Sequence, residues 1–396
     1  MYARIDAAMS VTRRQFLSYG GTGLAGASLV TSLGCSRTPA PHQDAKDAAW
    51  VASIAALETR IRQSMNDQRV PGAAIAIIRN AGIAWTKSFG VRDRSTGALV
   101  DEDTMFSAQS MSKPVFAYRV MKLWEQGVLD IDAPLTRYTP DVFVRNDARL
   151  KEITARRVLS HTTGLPNWRS KDDPLRINFT PGTKWSYSGE GYHYLQSVVT
   201  RLTGHTDPTH CGAFEMGYRV CASDFGENME ANILRPFGMT RSGYAWTPAM
   251  QQRLATSHDK DGAPLPQQRS TSLEVARYGS AGSLVTTATD YARFLIEVMR
   301  PAPADDFRLN ESTRQAMLTP QIEVPAPVKA SWALGWEIWH TERGDLVLHG
   351  GDIDGWHSQS AFSPSRQAGF VILTNGEGGY AMIWKDLLTP LLENFS

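Results

Sequence analysis

Strand-like periodicity is confined to the two ends of this 396-residue chain, and the long middle carries helical periodicity. Near the start, "GAAIAII" (residues 72–78) is a continuous apolar run. "RNAG" follows as a turn, and Ile83 and Trp85 begin an alternating return strand that closes at Phe89-Gly90. Near the end, Trp332, Leu334, Trp336 and Ile338 alternate, "ERGD" turns, "LVLHGG" returns, and "HSQSAF" and "GFVILTNG" pair around "SPSRQAG". Helices flank both ends: Trp50, Ile54, Leu57, Ile61 and Met65 share one face, and residues 381–395 form a closing helix. Between them, helical patterns at 114–130, 155–159, 192–202, 229–234 and 289–299 are separated by Pro and Gly breaks. The expectation is an α+β fold. One antiparallel sheet is built from both chain ends with flanking helices (about 49–109 and 283–396), and a mostly helical subdomain is inserted at about 110–282.

Residues 1–35 lie outside that pattern. "VTRRQFLSYGGTGLAGASLVTSLGC" has an arginine pair followed by a mildly apolar run without charge, and Arg13-Arg14-Gln15-Phe16-Leu17 resembles a twin-arginine export signal. A membrane anchor is the weaker reading, because the run is barely membrane-length and holds five glycines before Cys35. "SLGC" resembles a lipoprotein cleavage box in which Cys35 becomes lipidated, although Ser32 stands where leucine is preferred. An exported protein, periplasmic or lipid-anchored to a membrane, is expected, with residues 36–48 as linker and 49–396 as the folded domain. Cys211 and Cys221 remain as a pair that an oxidising compartment can bridge, or as two free thiols. The net charge is +1, and since Arg4, Arg13 and Arg14 stand against Asp6 in the leader, the remainder carries −1. That argues against nucleic acid as a partner, because such proteins display basic faces.

Three short stretches carry candidate chemistry. In "FSAQSMSKPV", Ser110 and Lys113 fall one helical turn apart at the start of a long apolar helix. Burial and the helix dipole there would lower the lysine's proton affinity and let it take a proton from the serine. Helix capping by Ser110 or Ser112 explains the same residues. The Ser257–Lys260 pair in "SHDK" has the same spacing, but it sits among Asp259, Asp261 and Gly262 in an expected exposed turn. In "PGTKWSYSGEGY", Tyr187 lies between a Pro-Gly turn and a helix start. Its phenol can face a cleft and, beside a protonated lysine, serve as general base and then proton donor. In "LVLHGGDIDGWHS", a strand ends in His349-Gly350-Gly351, and the two glycines let a ligand approach the main chain. Backbone N–H groups there, together with that of Ser110, would form an oxyanion hole.

In this order and context, Ser110-Met-Ser-Lys113, Tyr187 in "YSG" and His349-Gly-Gly resemble the three motifs of the penicillin-recognising serine hydrolases. That family comprises class C β-lactamases, DD-peptidases and family VIII carboxylesterases. "RVPGAAIAII", "LSHTTGLP", "SAGSLVTTATDYARFL" and "LGWEIW" are also similar to it, and the resemblance runs from about Trp50 to Asn394. It implies a β-lactamase/transpeptidase-like fold with its site between sheet and helical subdomain. It further implies Ser110 as acylated nucleophile, Lys113 and Tyr187 as the proton-transfer pair, and the N–H groups of Ser110 and Asp352 as the oxyanion hole. No cofactor and no metal are implied; the spacing in "HTDPTHC" (residues 205–211) fits no standard zinc set.

Two departures bear on substrate. Gly189 stands where the β-lactamases and peptidases usually carry asparagine, and His349 stands where they usually carry lysine, so an amide and a permanent cation are both missing. The expected substrate is therefore a small-molecule ester, or less readily an amide. Two alternatives are a β-lactamase or D-alanyl-D-alanine carboxypeptidase and, from another class, a non-catalytic binder of cell-wall peptides. Trp185, Tyr192 and Trp356 flank the second and third motifs as candidate walls of an acyl pocket or as seam packing, and His161 is expected to order a loop. Residues 205–230 carry no assigned role, and nothing in the sequence fixes the oligomeric state.

Overall fold

The structure, a computed structural model, describes residues 41–139, 142–169, 174–205, 221–244, 247–266, 272–300, 303, 305–326 and 328–393. Helix α1 (Pro41–Asp67) leads into strands β1 (Gly72–Arg79), β2 (Gly82–Asp93) and β3 (Ala98–Leu99). The helix starts within the stretch expected as linker. Proline is tolerated in a first turn, and Ala45, Ala48 and Ala49 favour helix over coil. A short strand β4 (Phe106–Ser107) and a single 3₁₀ turn (Gln109–Met111) precede helix α2 (Ser112–Glu125).

The middle of the chain holds α3 (Ala155–Leu159), α4 (Gly189–Thr203), α5 (Ala222–Met229), α6 (Pro248–Arg253) and α7 (Ser272–Gly282). Strand β5 (Val285–Thr286) pairs with β4, and α8 (Ala288–Met299) and α9 (Glu311–Leu318) follow. The chain then returns to the sheet as β6 (Ile322–Val324), β7 (Ala330–Trp332), β8 (Glu337–Thr341), β9 (Gly344–Ile353), β10 (Trp356–Ser363) and β11 (Ala368–Thr374). It closes through α10 (Gly379–Ala381), a π-helical turn (Met382–Leu387) and α11 (Leu388–Glu393). The alternation at 332–338 is not one strand as expected. Gly335, at φ +91°, breaks it between β7 and β8.

All nine long-sheet strands are antiparallel neighbours in the order β3-β2-β1-β11-β10-β9-β8-β7-β6, so the first strand of the chain lies against the last. Strand β1 explains why "GAAIAII" lacks polar residues. Ala74, Ala76 and Ile78 enter the core shared with α2, α4 and α8, while Ala73, Ile75 and Ile77 enter the core shared with α1 and α11. Both faces of the strand are covered, so alternation of polar and apolar residues has no physical basis there. At the edge of the helical region, Thr287 caps α8 by accepting the Asp290 N–H, and Tyr291, Phe294, Leu295 and Val298 point inward. Among the described residues, no helix is long and apolar enough to cross a membrane.

Candidate active site

The turn carrying Ser110 is fixed from several directions. Ala108 N–H donates to Leu284 O at 2.9 Å, and Met111 N–H donates to Ala108 O at 3.0 Å. Ser112 Oγ donates to Gln109 O at 2.6 Å and accepts Leu284 N–H at 3.0 Å, while Tyr291 Oη donates to Met111 O at 2.9 Å. Gln109 is held at φ +48°, a left-handed conformation that costs a non-glycine residue energy and that the surrounding hydrogen bonds must sustain. Neither Ser110 nor Ser112 caps a helix with its side chain. The other serine-lysine match behaves as expected: Lys260 is highly exposed and pairs with Asp261 in an Asp259-centred turn.

Lys113 projects from the first turn of α2 into the interior, at 1% exposure. Its Nζ lies 3.0 Å from Ser110 Oγ and 2.8 Å from Ala281 O at the end of α7. It also lies over the rings of Tyr187, at 4.8 Å, and Tyr192, at 5.5 Å. No carboxylate pairs with it among these contacts, and burial pulls its pKa from 10.5 to about 7. Burial acts the other way on Tyr187, raising its phenol well above the ordinary value, with Ser110 offsetting only part of the rise. Tyr187 Oη makes no hydrogen bond of good geometry, so its approach to Ser110 is loose. Tyr187 Oη, Tyr192 Oη, His161 Nε2 and His349 Nε2 are buried without a protein partner, and all four belong to rings gathered around Lys113. A buried polar atom without a partner is costly unless water or a ligand meets it, so four gathered around one lysine make this the candidate site.

His161 holds the tyrosine in place. Its carbonyl accepts Ser186 N–H at 2.8 Å and its Nδ1 accepts Ser188 N–H at 3.0 Å, bracketing Tyr187, and its ring lies 4.2 Å from the Tyr187 ring. Accepting at Nδ1 places the ring proton on Nε2, and burial keeps the imidazole neutral. Ser188 Oγ then accepts Gly191 N–H, which starts α4 immediately after the tyrosine. In His161→Phe the aromatic contact survives but Ser188 N–H is stranded. Stability is expected to fall by about 1–3 kcal/mol and kcat for a test ester by roughly ten- to a hundredfold through misplacement of Tyr187. Urea unfolding and steady-state kinetics check both; an unchanged kcat would show that the bracket does not position the phenol.

The third motif is placed by strand geometry. β8 covers β9 only as far as Leu348, so residues 349–353 form an open edge on that side. The two-residue turn makes Thr341 and Gly344 a facing pair, and with no register shift every second residue from Gly344 to Asp352 directs its amide toward the β8 side. The Asp352 N–H therefore faces the open edge. Val347, His349 and Gly351 share the sheet face toward the helical region. A Cβ on Gly351 would lie 2.2 Å from Ala108 O, so only glycine lets the strand reach the turn that carries Ser110. Gly350 is hemmed in by Gln359, whose Oε1 would be 2.6 Å from a Cβ. His349 is buried, and burial with Lys113 nearby lowers its pKa to about 3, so it is neutral. The Asp352 carboxylate lies on the opposite face, 2.8 Å from His357 Nδ1.

The remaining expected residues are distributed less simply. Trp356 is buried edge-on against Phe106 and backs the site from within the core, whereas Trp185 is only partly buried and packs 5.6 Å from Trp332 behind the tyrosine cluster. Tyr192 is fully buried beneath Lys113. Cys221 is disulfide-bonded, whereas Cys211 and Cys35 lie outside the described residues. Two contributors had no sequence signal: the Ala281 carbonyl, a backbone atom, and Trp168, which lies against Gly189.

A lysine buried against a serine, a tyrosine ring beside that lysine, and a glycine-lined strand edge next to them, on this sheet, match the arrangement that the resemblance to the penicillin-recognising serine hydrolase family implies. The chain belongs to the beta-lactamase family, whose model, described as Beta-lactamase, matches residues 57–387. A human beta-lactamase-like protein is 27% identical over 343 residues, covering 80% of this chain and 63% of that one. Esterase EstB of Burkholderia gladioli is 28% identical over 267 residues, covering 60% and 62%. The chain thus spans under two thirds of the length of both relatives. The solved beta-lactamase/D-alanine carboxypeptidase of Pseudomonas syringae superposes with a TM-score of 0.71 at 18% identity, covering 86% of this chain and 99% of that one.

Proposed function

We propose that this protein hydrolyses small-molecule esters, and amides less readily, through an acyl-enzyme on Ser110. The observation that carries the reading is the 3.0 Å contact between Ser110 Oγ and a lysine kept partly neutral by burial. As Oγ attacks the carbonyl carbon, its proton passes to Lys113 Nζ. The oxyanion is held by the N–H groups of Ser110 and Asp352. Tyr187 stays protonated at neutral pH, so it delivers its proton to the departing alkoxide and is reprotonated from Lys113. Loss of the alcohol leaves the acyl group on Ser110, and water reverses the transfers to release the acid. This divides the roles: lysine is the base and tyrosine the donor.

Substrate class follows from what the site lacks. His349 is neutral and Gly189 has no side chain, so neither a fixed cation for a substrate carboxylate nor an amide for an acylamino group is present at those positions. EstB, an esterase by name, supports the same preference. Export is part of the proposal, supported by the disulfide at Cys221 and the arginine pair of the leader. A fluorophosphonate is expected to add one phosphonyl group, which peptide mass spectrometry locates on Ser110. In parallel assays a nitrophenyl ester should turn over faster than nitrocefin or a D-Ala-D-Ala peptide. An adduct elsewhere, or preference for the peptide, would overturn the assignment.

A further inference from the structure

Gly189 is buried although it begins a helix at the site, and what covers it is the Trp168 indole. A Cβ at 189 would lie 2.5 Å from both Cη2 and Cζ2 of that ring and 2.8 Å from Asn167 O, so the indole fills the space a side chain there would take. The ring is held in place by its neighbours. Asn167 Oδ1 accepts Gly189 N–H and Asn167 O accepts Glu190 N–H, both at 3.0 Å. Arg169 N–H donates to Glu190 Oε1, and the Arg169 guanidinium pairs with the same buried carboxylate. On its other side the indole meets Tyr278 of α7 edge-on at 4.8 Å, three residues before the Ala281 carbonyl that binds Lys113. Trp168 thus spans the Tyr187 loop and α7, the two elements that flank the lysine. It is nonetheless 39% exposed, one of eight large apolar side chains that are open among the described residues, and Ile353, the residue after Asp352, is another at 40%. An indole clamped by backbone hydrogen bonds yet left open to solvent presents apolar surface for a ligand.

We propose that Trp168 is the specificity-determining residue of this site. Its indole, seated on Gly189, forms a flat apolar wall for the acyl group, and the preferred substrates are esters of aryl or similarly flat apolar acids. The inference rests on the reading of Ser110 as the acylated nucleophile. An acyl group of that kind gains apolar contact against the ring, whereas acetate offers little apolar surface to bury there.

The test compares 4-nitrophenyl benzoate with 4-nitrophenyl acetate, which share a leaving group. The benzoate-to-acetate ratio of kcat/KM is expected to fall at least tenfold in Trp168→Ala and to stay within about threefold of wild type in Trp168→Phe, which keeps a flat ring. Gly189→Ala should reproduce the fall, because its methyl displaces the indole. Trp168→Leu, apolar but not planar, carries the same test should the alanine variant be unstable. Fluorophosphonate labelling of each variant reports whether Ser110 remains competent. An unchanged or higher ratio in labelled Trp168→Ala or Trp168→Leu overturns the aryl wall and leaves the acyl-enzyme standing. If wild type takes no phosphonate and cleaves neither ester, the Ser110 reading fails, and the substrate inference with it.

Discussion

Ser110→Ala is expected to lower kcat/KM for a nitrophenyl ester by about four orders of magnitude or more, because among the described residues Ser110 carries the one hydroxyl hydrogen-bonded to Lys113. The size of the loss follows from the chemistry. Once the hydroxyl is gone, Lys113 has no proton to accept, and the oxyanion donors and Tyr187 act on a carbonyl that only water can attack. Folding should be nearly unaffected. The turn around Ser110 is held by the backbone of Ala108 and Met111 and by the Ser112 hydroxyl, none of which the substitution touches. Only the contact to Lys113 is lost, worth about 1 kcal/mol, so the melting temperature should move by no more than a few degrees. Hydrolysis assays and thermal unfolding on the same preparation measure both. A variant that keeps more than a hundredth of wild-type activity would show that Ser110 is not the nucleophile.

How much of this was legible in the sequence depends on where the information resides. The two-ended sheet was readable because strand periodicity and turn chemistry are local, and "GAAIAII" already shows a strand covered on both faces. The break at Gly335 was not, because Trp332, Leu334, Trp336 and Ile338 keep a strand-like alternation across a bend set by one positive φ. Ser110, Lys113, Tyr187 and His349 were legible from order and context, but their protonation states were not. Those depend on burial, which a sequence does not print: the phenol is raised, although a nearby lysine suggested the reverse. Trp168 lies twenty-one positions from the glycine it covers, and no local pattern links the two.

Lys113→Met should abolish hydrolysis and at the same time stabilise the protein near neutral pH. Wild type folds by burying an amine whose pKa falls from 10.5 to about 7. At about 1.36 kcal/mol per unit, that burial costs on the order of 5 kcal/mol at pH 7. Methionine has similar length and no charge to desolvate. Against the gain, Ala281 O loses its donor, a penalty of about 1–3 kcal/mol, and Ser110 Oγ loses a partner. The net expectation is a variant about 1–3 kcal/mol more stable at pH 7. The pH dependence follows from proton counting. Between pH 7 and 10.5 the unfolded chain holds a proton on Lys113 that the folded chain has lost, so wild-type stability rises with pH through that window and the advantage of the variant shrinks. Below pH 7 the difference levels off at its largest value. Taking the difference between the two proteins cancels titrating groups that do not interact with Lys113, including the buried Tyr118 and Tyr291 that begin to matter near pH 10. The same lysine predicts that wild-type kcat/KM climbs with pH and flattens above about 7, as the neutral amine becomes available. Urea unfolding at pH 7 and pH 9.5 and a pH–rate profile decide the matter. A methionine variant less stable than wild type by the same amount at both pH values, with an activity profile flat from pH 6 to 8, would mean that Lys113 is held as a cation and that something else takes the serine proton.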